Sequence, residues 1–329
     1  MNKVLIHYFS GTGNSAAVAE LAAGELQQSG FEPTLRSITE GRLPYSSTYN
    51  YHVFIFPIYA LSLPAIMKKY LRRLPPGRGT KTMVLAVCAG YEGRALYGAA
   101  RILKRRGYDV QLSDTIICPG NFTQITNPSP AGEQDRIRAC AAINAKAATS
   151  RFLAGKISKR TCGFLSRLWT GALGFLFTVF GRRFLGKSYV ADEACVQCGK
   201  CARACPTGAL RLVKRPRWNY KCQACQRCIN LCPQRAIQTS CARPVVFLGT
   251  MALSYYGVAR LAAAPFMPVF DPAVEVILFV FAWLIGHLVL VYLADKILFV
   301  LELIPGIRKL LGFSFTKHYR RYLAPHFKV

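Results

Sequence analysis

Acidic residues are scarce in this chain. Its 329 residues include 15 Asp and Glu against 43 Lys and Arg, a formal net charge of +28. An excess of this size calls for an anionic partner: a membrane surface, an acidic protein or nucleic acid. Nucleic acid is set aside because no nucleic-acid-binding module is recognisable. The sequence G-x-G-x-x-G does not occur, so no NAD(P)H site is expected. The first residues lack the order of an export signal, so disulfides are not expected and the cofactor-bearing part is read as cytoplasmic. Outside possible cofactor sites, no general base, nucleophile or substrate pocket is legible, and no catalytic residue is assigned. The charge is uneven: residues 151–243 carry 18 basic against 2 acidic residues, whereas residues 1–150 carry 17 against 9.

Cysteine is abundant and ordered. Of thirteen cysteines, eight fall in two runs: Cys195, Cys198, Cys201 and Cys205 before Pro206, and Cys222, Cys225, Cys228 and Cys232 before Pro233. Each run reads C-x-x-C-x-x-C-x-x-x-C-P. Three cysteines so spaced can curl round one iron–sulfur cube, and the turn before the proline sends the fourth towards its twin. The spacing resembles that of bacterial two-cluster ferredoxins, in which the fourth cysteine of each run ligates the other run's cluster. The resemblance implies one [4Fe–4S] cluster on Cys195, Cys198, Cys201 and Cys232, and a second on Cys222, Cys225, Cys228 and Cys205. Paired zinc knuckles are the competing reading, but zinc needs neither the third C-x-x-C step nor the trailing proline. The other five cysteines (Cys88, Cys118, Cys140, Cys162, Cys241) are read mostly as small buried apolar residues.

The chain opens with a buried-strand pattern at 3–9, the loop SGTGNS and a helical pattern at 15–29. Strand, small-residue loop and helix together make an anion site, because backbone N–H groups and the helix dipole face the ligand. Ser10, Thr12, Asn14 and Ser15 add polar side chains, and Gly11 and Gly13 let the backbone curl. This loop resembles the phosphate loop of flavodoxins, which implies FMN. Strand patterns at 33–37, 52–57, 81–89 and 109–118, with helices at 64–74 and 94–106, complete an α/β doubly wound parallel sheet of expected order 2-1-3-4-5. Its ligand belongs at the carboxyl ends of the strands. The loops there contribute Pro57, Ile58, Tyr59 and Ala60; Cys88, Ala89, Gly90, Tyr91 and Gly93; and Asn121 and Phe122. By the resemblance, Tyr59 and Tyr91 flank the flavin ring, with Phe122 third.

Residues 151–191 form a linker. Its stretch 163–186 is apolar and flanked by Lys159, Arg160, Arg182 and Arg183. It is expected to pack between the cofactor units or to lie in a membrane interface, with its arginines at headgroups, rather than to span. Residues 192–242 form the small α+β two-cluster module, with a hairpin of 210–216 and 217–220. From residue 243 onward, apolar runs at 244–264 and 274–293 have the length of a transmembrane hairpin, broken at Pro265, Phe266, Met267 and Pro268. Basic residues flank the two outer ends and none lies in the turn, which puts both ends in the cytoplasm of a cell membrane. Residues 298–313 are expected as an interfacial helix, Arg260 as a partner of Glu275, and His287 as a partner of Thr250 or Ser254.

The region 1–240 as a whole resembles flavodoxin–ferredoxin fusion proteins of the EFR-type group. That implies a membrane-anchored electron carrier passing electrons between a cytoplasmic donor, FMN, two [4Fe–4S] clusters and a partner at the membrane. A flavin-dependent quinone or small-molecule reductase that uses the clusters as an internal wire, and a redox-sensing or assembly protein, are the alternatives. Every expected ligand precedes Ser240, so a chain ending there is expected to keep its cofactors. Protein purified without oxygen should hold about eight iron, eight sulfide and one FMN per chain. Stoichiometric zinc with little iron would overturn the assignment.

Overall fold

The computed structural model describes residues 2–41, 48–263 and 271–327. The first unit alternates strand and helix: β1 (Lys3–Tyr8), α1 (Asn14–Gln28), β2 (Glu32–Ser37), β3 (Tyr51–Pro57), α2 (Ala65–Arg73), β4 (Lys81–Cys88), α3 (Ala95–Arg105), β5 (Asp109–Ile117), α4 (Ala131–Leu153) and β6 (Ser158–Lys159). All pairings are parallel, in the order β2-β1-β3-β4-β5-β6. The first five follow the flavodoxin-like doubly wound order. The short sixth strand was not expected. It pairs Leu112 with Ser158 and opens the linker along the sheet edge.

Side chains alternate across the sheet. On β3, Val53 and Ile55 enter the layer closed by α1 and α4, with Leu26, Ala145 and Phe152. Phe54 and Phe56 enter the opposite layer, with Met67 and Leu71 of α2 and Leu96 and Leu103 of α3. Both faces are covered, so the central strands read as unbroken apolar runs. The alanines of α1 bring that helix close to β1 and fix where its first turn begins.

The linker continues as α5 (Phe164–Leu176), a π-helical turn (Phe177–Gly181) and α6 (Arg182–Lys187). The cysteine-rich unit follows, with β7 (Tyr189–Ala191), α7 (Lys200–Arg203), β8 (Leu210–Val213), β9 (Arg215–Trp218), α8 (Arg227–Leu231) and β10 (Ile237–Thr239). β7 and β10 pair antiparallel on either side of the two cysteine runs, and β8 with β9 forms the hairpin between them. The core is small: Tyr189, Leu210, Trp218, Ile229 and Ile237, together with cysteines.

Two apolar helices complete the architecture, α9 (Ala242–Ala262) and α10 (Pro272–Leu301), followed by the short α11 (Pro305–Leu311). Asp271 caps α10 by accepting from the Ala273 N–H at 2.9 Å. Among the described residues three helices are long and apolar enough to cross a membrane: Phe164–Lys187, Ala242–Ala262 and Pro272–Leu301. The expected break before residue 298 is absent, and α10 runs unbroken to Leu301. The expected turn at Pro265, Phe266, Met267 and Pro268 lies outside the described residues. Thr250 and His287 approach at 3.4 Å, whereas Arg260 bonds the Tyr256 hydroxyl at 2.9 Å.

A buried ion cluster joins these helices to the rest. Asp295 of α10 accepts from Lys187 at 2.6 Å and lies 3.4 Å from Arg243 of α9, which also pairs with Glu302 at 2.5 Å. Lys187 further donates to the Trp218 carbonyl at 2.8 Å, so α6, β9, α9 and α10 converge on one point. Removing any partner would strand a buried charge, so the foot of the apolar pair is locked against the cysteine-rich unit.

Candidate functional site

A cavity of about 450 Å³ opens at the carboxyl ends of β1, β3, β4 and β5. That volume is in the range of small-molecule and cofactor sites. The loop after β1 forms one wall. Gly13 adopts φ 105, a left-handed conformation that glycine accommodates, and thereby turns the chain into α1. Ser10 accepts from the Gly13 N–H at 3.0 Å. The Ser15 hydroxyl, in the first turn of α1, is buried without a hydrogen-bond partner. A buried hydroxyl at a helix N-terminus beside a cavity suits an anionic group that would accept from it.

Other expected polar groups are already engaged. Asn14 lines the cavity, but its amide nitrogen donates to the Pro119 carbonyl at 2.9 Å and its oxygen accepts from the Tyr322 hydroxyl at 2.5 Å. Its role is to brace the loop. Thr12 accepts from the Asn121 amide, which leaves its own hydroxyl hydrogen to donate.

Of the expected contacts, Ser10, Gly11, Thr12, Asn14, Ser15, Pro57, Ile58, Tyr59, Ala60, Cys88, Ala89, Asn121 and Phe122 line the cavity. Gly13, Gly90, Tyr91 and Gly93 do not. Tyr91 is 52% exposed and bonds the Ser166 hydroxyl at 2.6 Å, so it faces α5 instead. Gly93 is drawn under Leu61, where a side chain would collide. Tyr59 is half-buried in the cavity wall; burial, and then the nearby Cys225, push its phenol well above the ordinary value, so it stays protonated.

Sequence reasoning missed the far wall. Phe177 and Leu185 of the linker helix line the cavity, as do Ala224 and Gln226 from between Cys222 and Cys228. No local signal marks them, because each belongs to a different stretch of chain from the flavodoxin-like unit.

The cysteines gather in crossed sets. Cys195, Cys198, Cys201 and Cys232 surround one small cavity; Cys205, Cys222, Cys225 and Cys228 surround another. All thirteen cysteines are free of disulfides. Burial pushes the Cys201 thiol up to about 11 and Cys222 up to about 12, so these groups hold their protons until a cation replaces them. Among the described residues no three His, Cys, Asp or Glu side chains converge on a single ion. Thiols set around an iron–sulfur cube stand apart by the width of the cube, unlike ligands of one zinc. Outside the two runs only Cys118 is buried. Cys140 is exposed and Cys88, Cys162 and Cys241 are half-buried, contrary to the expectation of a mostly buried set. Cys140 sits on the outer face of α4 and Cys162 and Cys241 in loops, while Cys88 ends β4 at the rim of the large cavity.

The two kinds of cavity share a joint. Gly11 sits so close to the Cys225 carbonyl that a Cβ there would collide with it. Arg227 donates to the Ser10 carbonyl at 2.5 Å and to the Gly11 carbonyl at 2.9 Å. Asn230 accepts from the Thr123 hydroxyl at 2.8 Å, and Gln226 accepts from the Gln124 N–H at 3.1 Å.

Residues 319–327 close this joint. The Tyr322 N–H donates to Asn230 at 2.7 Å, the Ala324 N–H donates to the Thr12 carbonyl at 2.8 Å, and Phe327 packs on Gly13. A chain ending near Ser240 would lose these braces, although every expected ligand precedes that point.

Comparison with known proteins locates one family match. Residues 189–211 match the 4Fe-4S binding domain. A stretch of 51 residues is 39% identical to one component of the ion-translocating oxidoreductase complex of Methanosarcina acetivorans, covering 15% of this chain and 19% of that protein. The chain therefore spans about a fifth of that relative's length. Flavodoxin 2 from Bacillus cereus is similar over 46% of this chain and 99% of its own, at 20% identity and a TM-score of 0.35. The Megasphaera elsdenii flavodoxin is similar over 45% and 98%, at 16% identity and a TM-score of 0.33. The strand order itself defines the fold as flavodoxin-like, here joined to a 4Fe-4S segment.

Two outcomes follow from this geometry. Cys205→Ser should disturb the cluster signal that depends on Cys222, Cys225 and Cys228, although Cys205 lies in the first run; loss only of the other signal in electron paramagnetic resonance would refute the crossing. Tyr322→Phe leaves Asn14 short of a buried donor, so bound flavin should weaken about fivefold, for a loss of roughly 1 kcal/mol, with iron content unchanged. Unaltered flavin affinity in an equilibrium titration would show that the brace does not reach the site.

Proposed function

We propose that this chain is a membrane-anchored electron-transfer protein of the flavodoxin–ferredoxin fusion kind, akin to the EFR-type group. FMN occupies the large cavity, and two [4Fe–4S] clusters sit on the crossed cysteine sets. In this reading residues 1–150 hold the flavin, 192–242 the clusters, and 243–329 the membrane hairpin, with the cofactors facing the cytoplasm by the distribution of Lys and Arg. Ser10, Thr12, Ser15 and the first N–H groups of α1 hold the phosphate. Tyr59 and Phe122 border the ring. Flavin exchanges one or two electrons and an iron–sulfur cluster one at a time, so the pair couples unlike donors and acceptors.

The observation that carries the reading is the shared wall. Ala224 and Gln226 line the large cavity while belonging to the loop between Cys222 and Cys228. A flavin there would lie against the cluster loop, so electrons need no diffusing carrier between them. The similarity of 51 residues to a component of an oxidoreductase complex supports the same class. The membrane partner is an acceptor enzyme held at the same surface, where anchoring raises its effective concentration.

A flavin-dependent reductase is the second reading, favoured by Ile125, which is half exposed at the cavity rim. One experiment tests the direct exchange on which the relay depends. In anaerobic full-length protein the flavin is photoreduced with a sacrificial electron donor and no redox mediator, and cluster absorbance and paramagnetic resonance are followed. A relay passes the electrons to iron without a mediator. Clusters that stay oxidised until a soluble mediator is added would refute the relay.

A further inference from the structure

The helix of residues 164–187 has two unlike faces. On the inner face, Gly174 packs so tightly on Ser62 that no Cβ would fit, Gly171 lies against the Arg94 guanidinium, and Gly186 lies on Cys222. Two arginines face the same way. Arg167 lies over the Tyr97 ring at 5.0 Å, and Arg182 donates to the carbonyls of Tyr220 at 3.2 Å and Cys222 at 2.8 Å. The outer face carries Leu165, Leu168, Trp169, Leu176, Phe180 and Phe184, all exposed. These lie three, four or seven residues apart, spacings that return to one side of a helix, so they form one stripe along it. A contiguous exposed apolar stripe of this size marks an interaction surface.

The stripe runs on into the apolar helix pair. The Phe184 ring meets the Phe247 ring of α9 with centroids 6.0 Å apart, and Lys187, at the same end, is paired with Asp295 of α10. None of the most apolar window of α10 is buried in the protein.

We propose that this helix lies in the membrane–water interface, with its outer stripe in the shallow acyl layer and its inner face on the two cofactor units. The proposal rests on the membrane-anchor reading above. Spanning would pull Gly171 and Gly174 off Arg94 and Ser62, whereas lying flat keeps those contacts and covers the stripe with lipid. Trp169 and the phenylalanines suit the amphipathic boundary, where aromatic rings concentrate. The consequence is functional. Phe177 and Leu185 of this helix line the large cavity, so the cavity stands about one helix diameter, roughly 10 Å, from lipid. An acceptor dissolved in or seated on the membrane is then reached through a single helix.

The test uses full-length protein in phosphatidylcholine–phosphatidylglycerol vesicles containing lipids brominated either near the headgroup or near the chain ends. Tryptophan emission is compared for the unsubstituted protein, Trp169→Phe and Trp283→Phe, each checked for unchanged iron. Trp169 is 59% exposed, so its replacement should not disturb folding. Trp169→Phe should remove most of the shallow quenching, and the emission assigned to Trp169 should be quenched at least about twofold more by shallow than by deep bromines. Trp283→Phe should remove the deep quenching. If Trp283 is quenched and Trp169 is not, the anchor stands but another protein surface covers the stripe, and the proposal falls. Deep bromines quenching Trp169 more than shallow ones would show that the helix spans. No quenching of either would remove the anchor reading, and this proposal with it.

Discussion

The backbone contact between Gly11 and the Cys225 carbonyl is the constraint on which the rest of the structure turns. It lets the phosphate-type loop of the α/β unit touch the cysteine-rich unit with nothing between them. Arg227 then binds the Ser10 and Gly11 carbonyls from the other side of the joint. Any side chain at position 11 would push the units apart. Distance matters here because electron exchange between two centres falls steeply with separation, and a shared wall removes the need for docking. The parallel sheet serves this joint: β1, buried on both faces, presents its following loop at a fixed height, and the small residues of α1 hold the helix N-terminus beside it.

A second constraint is electrostatic. Lys187, Arg243, Asp295 and Glu302 are all buried at one junction. Charges removed from water are tolerable only when each has its partners, so α6, α9 and α10 cannot separate without exposing or stranding them. The apolar helix pair is thereby fixed in orientation against the cysteine-rich unit rather than tethered by a loose linker. Residues 319–327 add the third tie, returning from beyond the apolar helices to hold Thr12, Asn14 and Asn230. Three widely separated parts of the chain thus meet around one loop.

In the function proposed, flavin and cluster binding are matters of enclosure as much as of ligand type. Ser15 supplies an unpaired hydroxyl, but the neighbouring Asn14, equally plausible by composition, is spent on Pro119 and Tyr322. Tyr59 and Tyr91 look equivalent as loop aromatics, yet one is half-buried in the cavity wall beside Cys225 and the other bonds Ser166 on the linker helix. Such differences arise from what packs across each side chain, which neighbours in sequence do not specify.

Local rules therefore determined a great deal. Unbroken apolar runs alternating with helical patterns led to the parallel sheet, because a strand covered on both faces must be apolar throughout, while its order came from the resemblance of the SGTGNS loop to flavodoxins. Cysteine spacing led to the two runs, because thiol geometry round a cluster is set over a few residues. Helix length and the scarcity of charge marked α9 and α10 as candidates to cross a membrane. Only the tertiary structure decided that α10 continues to Leu301, that the linker helix turns Arg167 and Arg182 inward, that Phe177, Leu185, Ala224 and Gln226 complete the large cavity, and that residues 319–327 brace the loop at Thr12. Each of these depends on contacts between residues far apart in the chain, and periodicity and spacing carry information only about neighbours a few residues away.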